Sequence, residues 1–320
     1  MRRRDVLLAF GAAAVAARRA DAAPPPLIVG LSPDPTEFTP EYLLTPMSDV
    51  MRTHGWQEGR DYVFVSRSTG GDNTGLPAAA RELVARGPQV FLAFGDAAID
   101  AAQAETKTIP IVAIADDMVG GHHVASMARP GGNTTGVSIL ASELDVKRFH
   151  LLHQLVPGVH RIGALAETTE KWSLDQVANA ARELGLELDS AIVESGKQAL
   201  AEIRRMKAGG IGALCTGSGA AVYSVRAQVF DLVTELHLPT MYLSPEEAEQ
   251  GGLIAYGSRF YECYSRVVEL AIKVIKGAKP ADLPIEQPTK LELAINMKAA
   301  KALGLAVPPL LLAQASEVIE

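Results

Sequence analysis

The alternation of short apolar runs with longer amphipathic ones constrains this chain more than any other feature. Residues 27–31, 62–66, 90–94, 109–114 and 136–139 are apolar, often β-branched, and bounded by Gly, Pro, Asp or Ser. Between them, residues 46–54, 76–86 and 97–106 carry apolar side chains at helical spacing. A strand that returns through a helix to a parallel neighbour is the βαβ unit, so the pattern predicts a parallel sheet covered by helices. Past Asn133 the rhythm restarts. Residues 161–166, 187–193, 212–216 and 239–242 read as strands, and 173–184, 198–208, 220–236 and 259–276 as helices. Two series of comparable length predict two α/β lobes rather than one long sheet. From Lys276 onward the chain reads as a Pro-rich tail.

Composition narrows the partners. With 48% apolar and 21% charged residues in 320, the chain can bury real cores. Its net charge of −7, with no basic stripe, predicts neither a nucleic-acid nor an anionic-membrane partner. Two cysteines occur, Cys215 in a strand-like run and Cys263 in a helical one, and the sequence leaves their pairing open. At the N-terminus, Arg2, Arg3 and Arg4 precede an apolar run from Val6 to Ala17, shorter than the ~20 residues of a membrane span. Ala20-Asp21-Ala22 supplies an A-x-A-like cleavage site, so residues 1–22 are expected to be a secretory signal. Arg3-Arg4-Asp5-Val6-Leu7 also resembles a twin-arginine signal. The expected destination is the periplasm, with no membrane-spanning segment in the mature chain.

Catalytic signatures fail one by one. Gly70 and Gly75 have P-loop spacing, but Leu76 stands where a phosphate-reaching lysine is needed, which leaves a surface turn. Gly217-x-Gly219 follows a strand and precedes a helix, yet Val222 occupies the third position of a dinucleotide fingerprint. A tight turn at a cleft is the better account. No G-x-S-x-G elbow exists. His150 and His153 share a helix face without a carboxylate to complete a metal site, so neither metal nor cofactor is expected. Asp116 and Asp117 lie at the C-terminal end of a strand, where open α/β sheets place ligands. Consecutive residues do not easily face one substrate, so one is expected to line the cleft and the other to cap the next helix. Ser142, with Asp145 three residues on, is expected to cap the helix that ends at Pro157-Gly158.

Longer segments carry a family resemblance. "KTIPIV", "ARPGGNTTGVS", "KRFHLLHQLVPG", "EQGGLIAYG", "KGAKPADLPIEQPTKLELAIN" and "AKALGLAVPPLLLAQASEVIE" occur in this order. Together they resemble the ABC-transporter substrate-binding family that includes tryptophan- and tyrosine-binding proteins. The resemblance implies a type I periplasmic-binding-protein fold: two Rossmann-like lobes with parallel sheets, joined by hinge crossovers. Its expected bounds are 27–138 plus about 256–285 for lobe one, and 139–255 plus about 286–320 for lobe two. Gly131 and Gly132 are then expected to be hinge-side turn residues.

What the resemblance implies for function is a monomer that captures a small molecule, an amino acid or a related polar or aromatic compound, without catalysis. A permease and its ATPase would be the partners. By position in such a fold, lobe one offers Ser32, Asp34, Gly95, Asp96, Ala97, Asp116 and Asp117 as ligand contacts. Lobe two offers Glu167, Trp172, Gly217, Ser218, Gly219, Ala220, Tyr242 and Ser244, with Tyr256 at a crossover. Two departures from the family pattern fall in these loops. Where relatives carry G-[ST]-P-A, this chain has Gly95-Asp96-Ala97-Ala98, and Asp117-Met118-Val119 stands in place of D-P-V. A carboxylate thus sits where an amino-acid ligand would place its own, unless Asp96 turns away to cap its helix. A ligand-sensing module and, less favoured, a hydrolase using Asp116 or Asp117 are the alternatives.

Overall fold

Two sheets whose central strands are apolar on both faces are each sandwiched between helices. The computed structural model describes residues 24–320 except 169, 170 and 218; the side chains of residues 41, 172 and 220 also lie outside the description, as does the expected signal at 1–22. The first sheet holds β1 (Leu27–Ser32), β2 (Val63–Ser68), β3 (Val90–Phe94), β4 (Ile111–Ala115) and β5 (Thr134–Ser138). All its pairings are parallel, in the order β2-β1-β3-β4-β5. Every residue of β3 and β4 is buried, as a sheet covered on both faces requires. Helix α1 (Thr45–Thr53) lies on one face, and α2 (Leu76–Val84) and α3 (Asp96–Glu105) on the other.

The second sheet begins with β6 (Arg161–Ala166), β7 (Glu187–Ile192), β8 (Ala213–Cys215) and β9 (Thr240–Tyr242). Helices α4 (Asp145–Leu155), α5 (Lys171–Glu183), α6 (Gly196–Ala208), α7 (Ala220–Tyr223), α8 (Arg226–Glu235) and α9 (Pro245–Glu249) alternate with them. Strand β10 (Ile254–Gly257) follows, and then α10 (Phe260–Ile275) crosses back to pack on the first sheet through Val267, Val268 and Ala271. The run expected as a tail is structured. It contains β11 (Glu292–Asn296), α11 (Met297–Ala302), α12 (Pro309–Gln314) and β12 (Glu317–Ile319). Strand β11 pairs antiparallel with β10, giving the order β12-β11-β10-β9-β8-β6-β7.

The chain passes between the sheets three times. It leaves after β5 through Ile139 and Leu140, returns after Gly257, and leaves again between Glu286 and Glu292. Glu286 is the last residue tied to the first sheet, donating its amide to the Gly136 carbonyl and accepting from the Ser138 amide, both at 2.9 Å. Arg148 knots two of the passages. Its buried guanidinium donates to the carbonyls of Ala141 at 2.6 Å and Tyr256 at 2.7 Å, and pairs with Asp145 at 2.8 Å.

Four further expectations change. Gly131 and Gly132, with φ of 71° and 63°, form the turn that enters β5 at its N-terminal end. The crossover starts at the other end of that strand, about 16 Å away at 3.3 Å per residue, so the pair is not part of the hinge. Tyr256 belongs to β10, where it faces Leu293 across the ladder, so the return passage begins two residues later than expected. The helix read over 220–236 is two helices, interrupted at Ser224 and Val225. Ser142 does not cap α4 but hydrogen-bonds Asp116, while Asp145 is drawn into the pair with Arg148.

Candidate functional site

Parallel strands direct all their C-terminal loops to one edge, and here the edges of the two sheets face each other. Between them lies a cavity of about 290 Å³. From the first sheet come Ser32, Asp34 and Glu37 after β1, Gly95, Asp96, Ala97 and Asp100 at the start of α3, and Asp116 after β4. From the second come Glu167 after β6, Glu194 after β7, and Gly219 and Tyr223 around α7. The first turns of α10 add Phe260 and Tyr264.

Acidic groups dominate this wall. Asp34, Glu37, Asp96, Asp100, Asp116, Glu167 and Glu194 all line the cavity, and no Lys, Arg or His does so among the described residues. Each carboxylate is held differently. Asp34 accepts from the Thr36 amide at 2.9 Å and hydroxyl at 2.8 Å, capping the turn Pro35–Phe38. Asp96 opens α3 without capping it, because Gly95 takes the cap position and His123 Nε2 lies 2.8 Å from the Asp96 carboxylate. Asp116 is bound by the amide and hydroxyl of Ser142, yet burial raises its pKa above the usual carboxylate range. Burial pushes Glu37 up to about 7, opposed by a hydrogen bond with Tyr264. Burial also lifts Glu167 to about 7; the Ala221 amide opposes the shift, and the charges of Glu194 and Asp96 reinforce it.

Aromatic rings supply the remaining wall. The Phe260 and Tyr264 rings stack at 5.8 Å, Phe94 meets Tyr264 at 6.0 Å, and Tyr223 meets Phe260 edge-on at 5.2 Å. Tyr223 belongs to the second lobe, so aromatic contact continues across the cleft. Behind it, Arg226 reaches from α8 into the first lobe. Its guanidinium donates to Tyr42 Oη at 2.7 Å, Thr36 Oγ1 at 2.9 Å and Asp34 Oδ2 at 3.2 Å. It also lies between the Tyr42 and Tyr223 rings, 4.5 and 4.3 Å from their centroids.

Of the residues singled out from sequence, the cavity brings together Ser32, Asp34, Gly95, Asp96, Ala97, Asp116, Glu167 and Gly219. Asp117 instead caps the following turn, accepting from the amides of Val119 and Gly120. Gly217 is a close-approach residue, since a Cβ there would stand 2.2 Å from the Leu165 carbonyl oxygen. Tyr242 is core, packed on Phe230 at 5.1 Å. Ser244 forms the capping box of α9 with Glu247, and Tyr256 presents its carbonyl to Arg148. Ser218 and the side chains of Trp172 and Ala220 lie outside the described residues. Sequence reading missed Glu37, Asp100, Glu194, Tyr223, Phe260, Tyr264 and Arg226. One usable signal existed: aromatics are only 5% of the chain, and Phe260 and Tyr264 sit four apart on one helix face.

Two parallel-sheet lobes, three passages and a cavity between the strand ends define the type I periplasmic-binding-protein class. The model of the family "ABC transporter substrate binding protein" matches residues 45–319. The chain belongs to that family. It is 26% identical over 263 residues to a tyrosine-binding protein of Clostridioides difficile, covering 80% of this chain and 74% of that one. Among solved structures, a conserved domain protein from Vibrio cholerae matches with a TM-score of 0.82 at 21% identity, covering 92% of this chain and 99% of its own. A Streptococcus pneumonia ABC domain in complex with L-Trp matches with a TM-score of 0.80 at 24% identity, covering 92% and 100%. No helix among the described residues is long and apolar enough to cross a membrane.

Proposed function

We propose that this protein is the solute-capturing component of an ABC importer, working in the periplasm and performing no chemistry on its cargo. The cavity between the strand ends of both lobes carries the reading, because a ligand held there touches both bodies and favours their closed arrangement. The moving bodies in this proposal are 27–138 with about 258–286, and about 142–257 with 292–320. The cargo is a small amino-acid-like compound with an aromatic or apolar part, consistent with the Phe94, Tyr223, Phe260 and Tyr264 wall and with what the named relatives bind. A permease and its ATPase would receive the closed, loaded monomer.

A thermal-shift screen over amino acids, amines, nucleosides and aromatic acids tests this. A ligand at a hundredfold its dissociation constant adds about 2.7 kcal/mol, enough to raise the melting temperature visibly. The expected result is one chemical class of hits, whose binding also shrinks the radius of gyration in solution scattering. Hits that bind without compaction, or turnover of any hit into product, would remove the reading.

A further inference from the structure

We infer that the cleft selects an organic cation, an amine with an aromatic or apolar body and no carboxylate of its own. This rests on the reading of the cleft as the ligand site. It departs from the zwitterionic compounds named for the relatives.

The charge argument comes first. A zwitterion needs a cation for its carboxylate and an anion for its ammonium. Here the second is abundant and the first is missing, since seven carboxylates line the cavity and no basic side chain does so among the described residues. The guanidinium of Arg226, behind the wall, is already committed to Tyr42, Thr36, Asp34 and two ring faces. The free amides at the start of α3 would suit an anion. Asp96 stands at that helix start, and its carboxylate is held by the buried His123 rather than left to swing away. An incoming carboxylate would therefore meet like charge, while the basic groups behind the wall, His123 and Arg226, already serve Asp96, Asp100 and Asp34.

The shape and the walls fit a compact amine. About 290 Å³ is at the small end of ligand sites, which run from about 300 Å³ upward. Phe94, Tyr223, Phe260 and Tyr264 present ring surface for a flat apolar body, or a π face for the ammonium itself. Proton balance gives an independent signature. Glu37 and Glu167, both pushed up to about 7, hold part of a proton each in the empty cleft at neutral pH. Asp34, Arg226 and Tyr264 face Glu37, and Glu194, Asp96 and the Ala221 amide face Glu167. A cation arriving among them favours the ionised forms and expels protons, whereas an anion would draw protons in.

Titration calorimetry at pH 7 with two matched pairs tests this: tyramine against L-tyrosine, and tryptamine against L-tryptophan. Each titration is run in two buffers of different ionisation enthalpy. The expected outcome is that each amine binds at least about tenfold more tightly than its amino acid and releases protons. Asp96→Ser should narrow that gap by strengthening the amino acid, with an unchanged melting temperature showing that the fold survives. Amino acids that bind as tightly as the amines, or more so, overturn the inference while leaving the cleft as the site. Silence of both amines, while other compounds in the thermal-shift screen bind, overturns it too. If a bound ligand is indifferent to Asp96→Ser, Glu167→Gln and Tyr223→Ala alike, the cleft itself is not the site and the functional reading falls.

Discussion

Glu37 holds a carboxyl where water barely reaches, 8% exposed, between the Asp34 turn and Tyr264. Its pKa of about 7 makes it a stability switch whose direction follows from proton binding. Between roughly pH 4.5 and 7 the unfolded chain has released a proton that the folded chain keeps, so every step up in pH removes stability. The group costs nothing below that window and most above it. Glu37→Gln removes the charge and keeps the shape. It is expected to match the parent near pH 4.5 and to be more stable by up to about 3 kcal/mol at pH 8, measured by urea unfolding. An equal difference at both pH values would show that burial of the carboxyl is not what matters. None of this was legible in the sequence, where Glu37 sits in an ordinary loop. Its burial is supplied by α10, more than two hundred residues away. Asp34 and Asp96 were legible because the position at a strand end, rather than any distant partner, marks them.

At the scale of elements, strands fully buried on both faces announce themselves, and β1, β3 and β6 are found where their apolar runs lie. Strands β10, β11 and β12 did not, because they fall outside the strand-helix-strand rhythm: β11 pairs antiparallel with β10, and a Pro-rich segment separates it from α10. Turns deceive in a different way. Glycine pairs mark a need for positive φ, which Gly131 and Gly132 do have, but not which end of a strand the turn serves. The contrast with Gly257 makes this testable. A Cβ at Gly132 meets nothing within 4 Å and one at Gly131 only Ala125 at 3.8 Å, so Gly131→Ala–Gly132→Ala adds left-handed strain alone. That costs about 1–2 kcal/mol per residue of unfolding free energy and should leave ligand affinity unchanged. At Gly257 a Cβ would stand 2.2 Å from the Leu243 carbonyl oxygen and 3.2 Å from the Arg148 guanidinium. Gly257→Ala should therefore alter affinity and compaction through the return passage. A loss of affinity in the glycine-pair variant would restore that pair to the hinge.

For the whole molecule, the proposed function turns on the balance between open and closed lobes, and Arg226 is the group best placed to set it. It is anchored in lobe two, where it also donates to the Tyr223 carbonyl at 2.9 Å, and nearly all its other partners lie in lobe one. Tyr42 completes the contact by exchanging hydrogen bonds with Gln250, again across the lobes. A desolvated guanidinium over an aromatic face contributes about 2 kcal/mol, and its hydrogen-bonded carboxylate adds to that. Opening the cleft must give up all of these at once. Arg226→Ala is expected to enlarge the radius of gyration of the empty protein and to weaken ligand binding about tenfold or more. The loss arises because only the closed fraction binds fully. Tyr42→Phe, which keeps the ring and loses the hydroxyl, should fall between the two. Arg226→Ala combined with Asp34→Asn should lose less than the sum of the single changes, since both break one contact. The rival account makes Arg226 a packing residue of lobe two. It predicts a lowered melting temperature, unchanged scattering and additive single changes, so a scattering profile and a double-mutant cycle decide between a latch and a strut.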